Sequence, residues 1–186
     1  MSAIITALVG MCGTGKSVVA EFIETQYQFS PIYFGGFVLA EVKRRNLEIN
    51  STNEKIVRED LRAQHGIDVM AKLAEGEIDT ALAQGAQVSI DGLYSFSEYT
   101  YLKQKYGDQL VLLAVHSAKK LRYQRLGIRE VRPLTPQQVD ERDYFEIKNI
   151  EKAGPIAIAD YHILNNGTIP ELEHQIKTIF KELLAR

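Results

Sequence analysis

The residues with the clearest chemistry are Gly10-Met11-Cys12-Gly13-Thr14-Gly15-Lys16-Ser17, which fit G-x-x-x-x-G-K-[ST] without a mismatch. A chain that wraps a phosphate must aim successive backbone N–H groups inward, and glycine permits those backbone angles and a close approach. Lys16 can then reach the β- and γ-phosphates, and the Ser17 hydroxyl can ligate Mg²⁺. A second piece is Asp91, which ends the β-rich run "VSIDG". A strand-end aspartate beside such a loop can hold the metal's hydration shell or take the proton of an acceptor hydroxyl. A plain turn aspartate before Gly92 is the alternative, since Asp-Gly is a common turn pair.

These groups need a strand to deliver the loop and a helix to receive it. Residues 3–9 form a short apolar run bounded by glycine, which reads as a buried strand. From Lys16 to about Tyr27 the apolar residues recur at helical spacing, so the helix presents its positive end to the loop. Further strands are expected in "PIYFGG", at 86–92, at 109–116 and in "DYHILNN". Helices are expected over 37–48, 52–74 and 75–84, with Thr52 as a cap, and over 95–106. A basic helix follows in "SAKKLRYQRL", then one from Thr135 or Pro136 to about Lys152, and a last one over 169–184. Strands separated by helices predict an α/β fold with a mainly parallel sheet.

The 186 residues, 45% of them hydrophobic, suffice for one domain with a real core, and no repeat or linker divides them. The net charge of −2 gives no overall basic field for nucleic acid, although Lys43–Arg45 and Arg58–Arg62 could form a local patch. The single cysteine, Cys12, leaves no internal disulfide and suits a reducing compartment. No charged segment precedes the first apolar run, and no stretch approaches the roughly 20 residues that span a bilayer. A cytoplasmic protein without a membrane partner is expected. The four histidines lack metal-site spacing.

With these pieces placed, the chain resembles the P-loop nucleoside-monophosphate kinase superfamily, on the side of dephospho-coenzyme A kinase and adenylate-kinase-related proteins of UPF0200 type. The resemblance runs through "GMCGTGKS", "YFGG", "LRAQHG", "VSIDG", "LLAVHSAKKLRYQRL", "ERDYFE" and "IAIADYHILNNG". It implies a three-layer fold with a five-stranded parallel sheet, a helical acceptor insert at about 36–84 and a lid at about 118–152. It implies ATP and Mg²⁺ as cofactors, with Gly10, Cys12, Gly13, Thr14, Gly15, Lys16, Ser17 and Val18 on the nucleotide. It also puts Asn165, Asn166 and Gly167 near adenine, where the residues alone support only a turn. The metal would rest on Ser17 and Asp91.

The acceptor half departs from the pattern. Gly36 and Leu39 stand where relatives tend to carry aspartate and arginine, Tyr94 stands where they often carry arginine, and Cys12 replaces a frequent proline. Arg58 and Arg62 share a helix face, and Arg62 matches the family's "LRE" arginine, so both are acceptor candidates with Tyr94 and Phe37. Tyr33, Phe34 and Phe37 suit either stacking on a base or core packing. In the lid, Arg122, Arg125, Arg129 and Arg132 could close over a transferring phosphoryl group, with Arg125 and Arg129 the first choices beside Lys16 and Asp91. Arg142 suits either a phosphate contact or a helix ion pair. The resulting expectation is ATP-dependent phosphoryl transfer to a small nucleotide-like acceptor of nucleoside-monophosphate or dephospho-coenzyme A class. An ATP-binding switch or slow NTPase is the alternative; guanine specificity is disfavoured because no N-K-x-D appears.

Overall fold

The computed structural model describes residues 3–130 and 133–185. Arg132, one of the expected lid arginines, lies outside them. The order is β1 (Ile5–Val9), α1 (Lys16–Tyr27), β2 (Ser30–Tyr33), α2 (Phe34–Arg44), α3 (Ser51–His65), α4 (Val69–Ala83) and β3 (Val88–Asp91). It continues with α5 (Phe96–Tyr106), β4 (Leu110–His116), α6 (Lys119–Gly127), α7 (Pro136–Ile150), α8 (Ala153–Ala157), β5 (Tyr161–Leu164) and α9 (Ile169–Leu183).

The strands make a five-stranded parallel sheet in the order β2-β3-β1-β4-β5. β1 is buried along its whole length, as a central parallel strand with covered faces must be. Side chains alternate across the pleat. Ile5, Ala7, Val9, Val88, Ile90 and Leu112 face a core shared with α2 to α5. Leu8, Val111, Leu113, Val115 and Ile163 face a second core built with α1 and α9. The result is the α/β fold with a parallel sheet expected from the alternation, in the three layers that the resemblance implies. The connection after β1 runs to β2 on one side and that after β3 crosses to β4 on the other, so the crevice past the carboxyl ends of β1 and β3 is the switch point where ligands collect in such sheets.

Several boundaries differ from the sequence reading, for local reasons. The stretch 52–84 divides after His65, not after residue 74, because Met70, Ala74 and Ile78 lie one turn apart and bury one continuous face of α4. Asn50 caps α3 in place of Thr52, its side chain accepting from the Asn53 N–H at 2.9 Å. α2 starts at Phe34, since that ring packs into the core and shortens the expected strand. The expected helix start at Thr135 and Pro136 does occur, with a Thr135/Gln138 capping box. Helix α8 was not expected.

The outer layer depends on α9, whose Leu172, Ile176, Phe180 and Leu183 form a buried stripe. Phe180 stacks on Tyr27 at 4.6 Å and meets Phe29 edge-on at 5.5 Å. Phe180→Ala is expected to cost about 3–5 kcal/mol, and at about 2–4 °C per kcal/mol the melting temperature should fall by roughly 10 °C. Thermal unfolding followed by circular dichroism checks this; an unchanged midpoint would mean that the α9 packing is not as described.

Candidate nucleotide and phosphate site

The loop after β1 is shaped by what presses on it. Gly10 has φ +146°, and a Cβ there would lie 2.4 Å from the Val115 carbonyl oxygen. Gly15 has φ +92°, and a Cβ there would meet the Asn165 amide nitrogen at 2.3 Å. Only glycine fits both constraints. Thr14 bonds back to the Met11 carbonyl, and α1 begins with neither a side-chain cap nor an acidic residue in its first turn. Its free N–H groups and positive end are therefore available to an anion. This arrangement fits the phosphates of a nucleotide.

The place of Lys16 in a loop predicts an exposed side chain; it is half-buried instead, and its ammonium donates to the carbonyls of Gly10 at 2.8 Å and Met11 at 3.1 Å. Burial and the nearby Lys152 charge lower its pKa to about 7. The parallel register pairs Leu8 with Asp91, and the Ser17 hydroxyl donates to Asp91 Oδ2 at 3.2 Å. Burial raises the Asp91 pKa against the opposing pull of Lys16 and Ser17. Ser17 and Asp91 thus stand together, as a shared Mg²⁺ would need; among the described residues no cluster of three or more His, Cys, Asp or Glu forms a separate metal site.

The basic residues separate into groups that sequence spacing did not distinguish. Arg122 is buried and committed: its Nε donates to the Cys12 carbonyl at 2.7 Å, and its Nη2 donates to both Asp143 oxygens at 2.6 and 2.7 Å. It clamps the loop to α7. Cys12 itself packs with Leu126 and Val139. Arg125 donates to the Ser117 hydroxyl at 2.8 Å, and Asn165 donates to the Thr14 carbonyl at 2.9 Å. Asn166 accepts from the Ala118 N–H at 2.8 Å, so the 165–167 turn does border the loop and the start of α6. Gly167 follows in that turn, and Val18 is exposed on the first turn of α1. Arg129 is exposed beyond α6.

On the other side, Arg62 from α3 is nearly buried 3.9 Å from Glu98 Oε1, with Arg58 one turn away. Glu98 closes a buried capping box at the start of α5, its Oε2 accepting from the N–H groups of Tyr94 and Ser95 at 2.7 and 2.9 Å. Burial lowers the Arg62 pKa and raises that of Glu98. Phe37 is half-buried, with its ring 6.4 Å from Phe34, and packs against the core. Arg142 makes the helix ion pair, Nε to Glu146 Oε1 at 2.9 Å.

Two residues of this region were missed. Lys152 and Glu146 are both buried, joined by a bond of 2.6 Å from Nζ to Oε2. Lys152 also lies 4.5 Å above the ring of Tyr94. Burial alone would raise the Glu146 pKa, but Lys152 and Arg142 hold it down at about 2. Glu146 closes the quoted "ERDYFE" without being singled out there, and Lys152 is a lysine ahead of the small-residue run Ala153-Gly154-Pro155, which no spacing rule relates to it.

Fold and site together define a P-loop kinase-like protein. The chain belongs to the UPF0200 family and, over residues 9–141, to the AAA_17 family of AAA domains. It is 32% identical over 183 residues to the UPF0200 protein of Thermococcus gammatolerans, covering 97% of this chain and 95% of that one. To the UPF0200 protein of Thermococcus kodakarensis it is 32% identical over 186 residues, covering 98% and 99%. Among solved structures, the shikimate kinase of Bacteroides thetaiotaomicron superposes with a TM-score of 0.63 at 14% identity, covering 98% of this chain and 99% of that one. A gluconokinase of Sinorhizobium meliloti superposes with a TM-score of 0.57 at 12% identity, covering 98% and 96%. These two likenesses show the shared fold. Among the described residues, no helix is long and apolar enough to cross a membrane.

The state of Lys16 gives a signed pH test. Its pKa in the free protein is about 7, and the phosphates of a bound nucleotide would raise it. Binding of Mg²⁺·ADP above pH 7 should therefore take up a proton, with affinity falling by up to about tenfold per pH unit as alkalinity increases. Calorimetry in buffers of different ionisation enthalpy reads the uptake directly. Lys16→Arg, whose guanidinium stays charged, should abolish it; identical uptake in that variant would assign the proton elsewhere.

Proposed function

We propose that this protein is an ATP-dependent phosphotransferase acting on a small anionic, nucleotide-like acceptor. The observation that carries the reading is convergence at one sheet edge. Loop groups Lys16 and Ser17 meet Asp91 from β3, while Arg62 from α3 and Arg142 from α7 flank them from the two long inserts. In this reading Gly10 to Ser17 and the first turn of α1 hold the phosphates of ATP. Ser17 and Asp91 hold Mg²⁺, which when bound draws charge from the phosphate oxygens. Asp91, at the carboxyl end of β3 beside Ser17, also suits a group that takes the proton of an acceptor hydroxyl.

Arg58 and Arg62 form the acceptor side, and their positive charge selects an anion. Arg125, with Asn165, Asn166 and Gly167, belongs to the nucleotide side, and Arg129 to the segment that covers it. The resemblance of the whole chain to kinases of small metabolites supports transfer over a purely structural role. A phosphate-hydrolysing switch without an acceptor is the second reading, favoured by Gly36 and Leu39 at the start of the acceptor insert.

Incubation with Mg²⁺·ATP and a mixed panel of nucleoside monophosphates, deoxynucleotides and dephospho-coenzyme A, followed by mass spectrometry, separates the two. A phosphorylated acceptor formed with ADP is the expected outcome. ADP and free phosphate alone would select the switch. Lys16→Ala should leave the fold intact and lower turnover by at least about a hundredfold, and an unchanged rate in the folded variant would reject the loop's assignment.

A further inference from the structure

Lys152 is the side chain that structure alone leaves underexplained. It is 1% exposed, and removing an ammonium from water costs several kcal/mol unless partners replace its hydration. An ammonium has three N–H donors. Among the described residues, Lys152 has one hydrogen-bond acceptor, Glu146 Oε2 at 2.6 Å, and otherwise the face of the Tyr94 ring at 4.5 Å. That one carboxylate is shared, because Arg142 also donates to it at 2.9 Å. Lys16 lies close enough for its charge and that of Lys152 to repel, and Asp91 senses both. Lys16, Lys152 and Arg142 therefore share Glu146 and Asp91, with Lys152 and Glu146 the buried members of the group. A buried ammonium with fewer acceptors than donors is a place where an anion gains by binding.

We infer that Lys152 is a catalytic residue of the transfer, its ammonium contacting the equatorial oxygens of the phosphoryl group on the side opposite the Gly10–Ser17 loop. The inference rests on the phosphotransferase reading. In that reaction the acceptor oxygen bonds to the γ-phosphorus as the bond from that phosphorus to the β–γ bridging oxygen breaks. The hydroxyl proton passes to Asp91. Lys152 gives and takes no atom; it supplies charge where negative charge spreads in the transition state. Glu146 is its positioning residue and holds the ammonium over Tyr94 until the phosphoryl group arrives. The Tyr94 ring carries on its face a lysine reaching in from the start of α8, so the cation at this point comes from a different element than the residue after the central aspartate.

The test replaces the buried pair by a neutral one of similar shape, Glu146→Gln with Lys152→Met, beside Lys152→Arg. For each protein the affinity for Mg²⁺·ADP is measured with and without aluminium fluoride, whose complex with ADP mimics the transferring group. In the wild type the fluoride should tighten ADP. The double variant should bind ADP alone within about threefold of wild type and lose at least about tenfold of the tightening, the equivalent of one charge contact, while Lys152→Arg keeps most of it. Full tightening in the double variant would overturn the inference and leave the phosphotransferase reading standing. Wild-type protein that binds ADP but shows no tightening would overturn both, and wild-type protein that binds no ADP would reject the nucleotide site itself. Should the double variant fail to fold, ¹⁵N NMR of the lysine ammonium groups in wild-type protein decides. The Lys152 signal should move when fluoride is added to the ADP complex, and a stationary signal would overturn the inference.

Discussion

The pairing of β1 with β3 is the constraint on which the site depends. Leu8 stands opposite Asp91 in a parallel ladder whose strands are buried, so a slip of one residue would turn the apolar side chains of β3 to the wrong faces. The core therefore fixes where Asp91 emerges, and through it the Ser17 hydroxyl at 3.2 Å. The loop is held by equally indirect means. Val115 and Asn165 crowd Gly10 and Gly15, and Arg122 ties the Cys12 carbonyl to Asp143. The charged groups at this edge stand on a scaffold whose energy comes from elsewhere, mainly from the apolar faces on the two sides of the sheet.

Charge is the second organising element. Removing Lys152, Glu146, Arg62 and Glu98 from water is costly, and each is tolerated because an opposite charge lies near. Replacing such pairs with apolar side chains is often neutral or stabilising, so their presence is weak support for a purely structural purpose. Lys152 and Glu146 lie close enough to the loop for Lys16 to feel both charges.

Much of this was legible in the sequence. The Gly10–Ser17 pattern and the strand-end Asp91 announce themselves through residue type and spacing, and five alternating apolar runs were enough to give the parallel sheet. Burial of two helix faces was less legible. Gly76 falls within α4 without ending it because Ala74 and Ile78 continue the same stripe, whereas the real break after His65 is marked by Gly66, whose φ of +96° ends α3; of two glycines alike in sequence, burial decides which one stops a helix. The charge pairs were invisible for a different reason. Arg122 and Asp143 are 21 residues apart, and Arg62 and Glu98 sit on helices separated by a strand and a further helix, so nothing local relates them. Lys152 looked like an ordinary surface lysine at a helix end, which is what most lysines in that position are.

The clamp through Arg122 has a mechanical side. Asp143, which it grips, and Glu146, which holds Lys152, are three residues apart on α7 and so share one face of the helix. A displacement of the Cys12 carbonyl is passed to Asp143 by a short, bidentate strut, and the helix between Asp143 and Glu146 is too stiff to absorb it. The stretch from Asp143 to Glu146, less than one turn of α7, behaves as a lever with a very short arm. The Cys12 carbonyl, Asp143 and Glu146 are thus held at fixed separations, so the loop after β1 and the buried Lys152 are coupled through one rigid piece of α7.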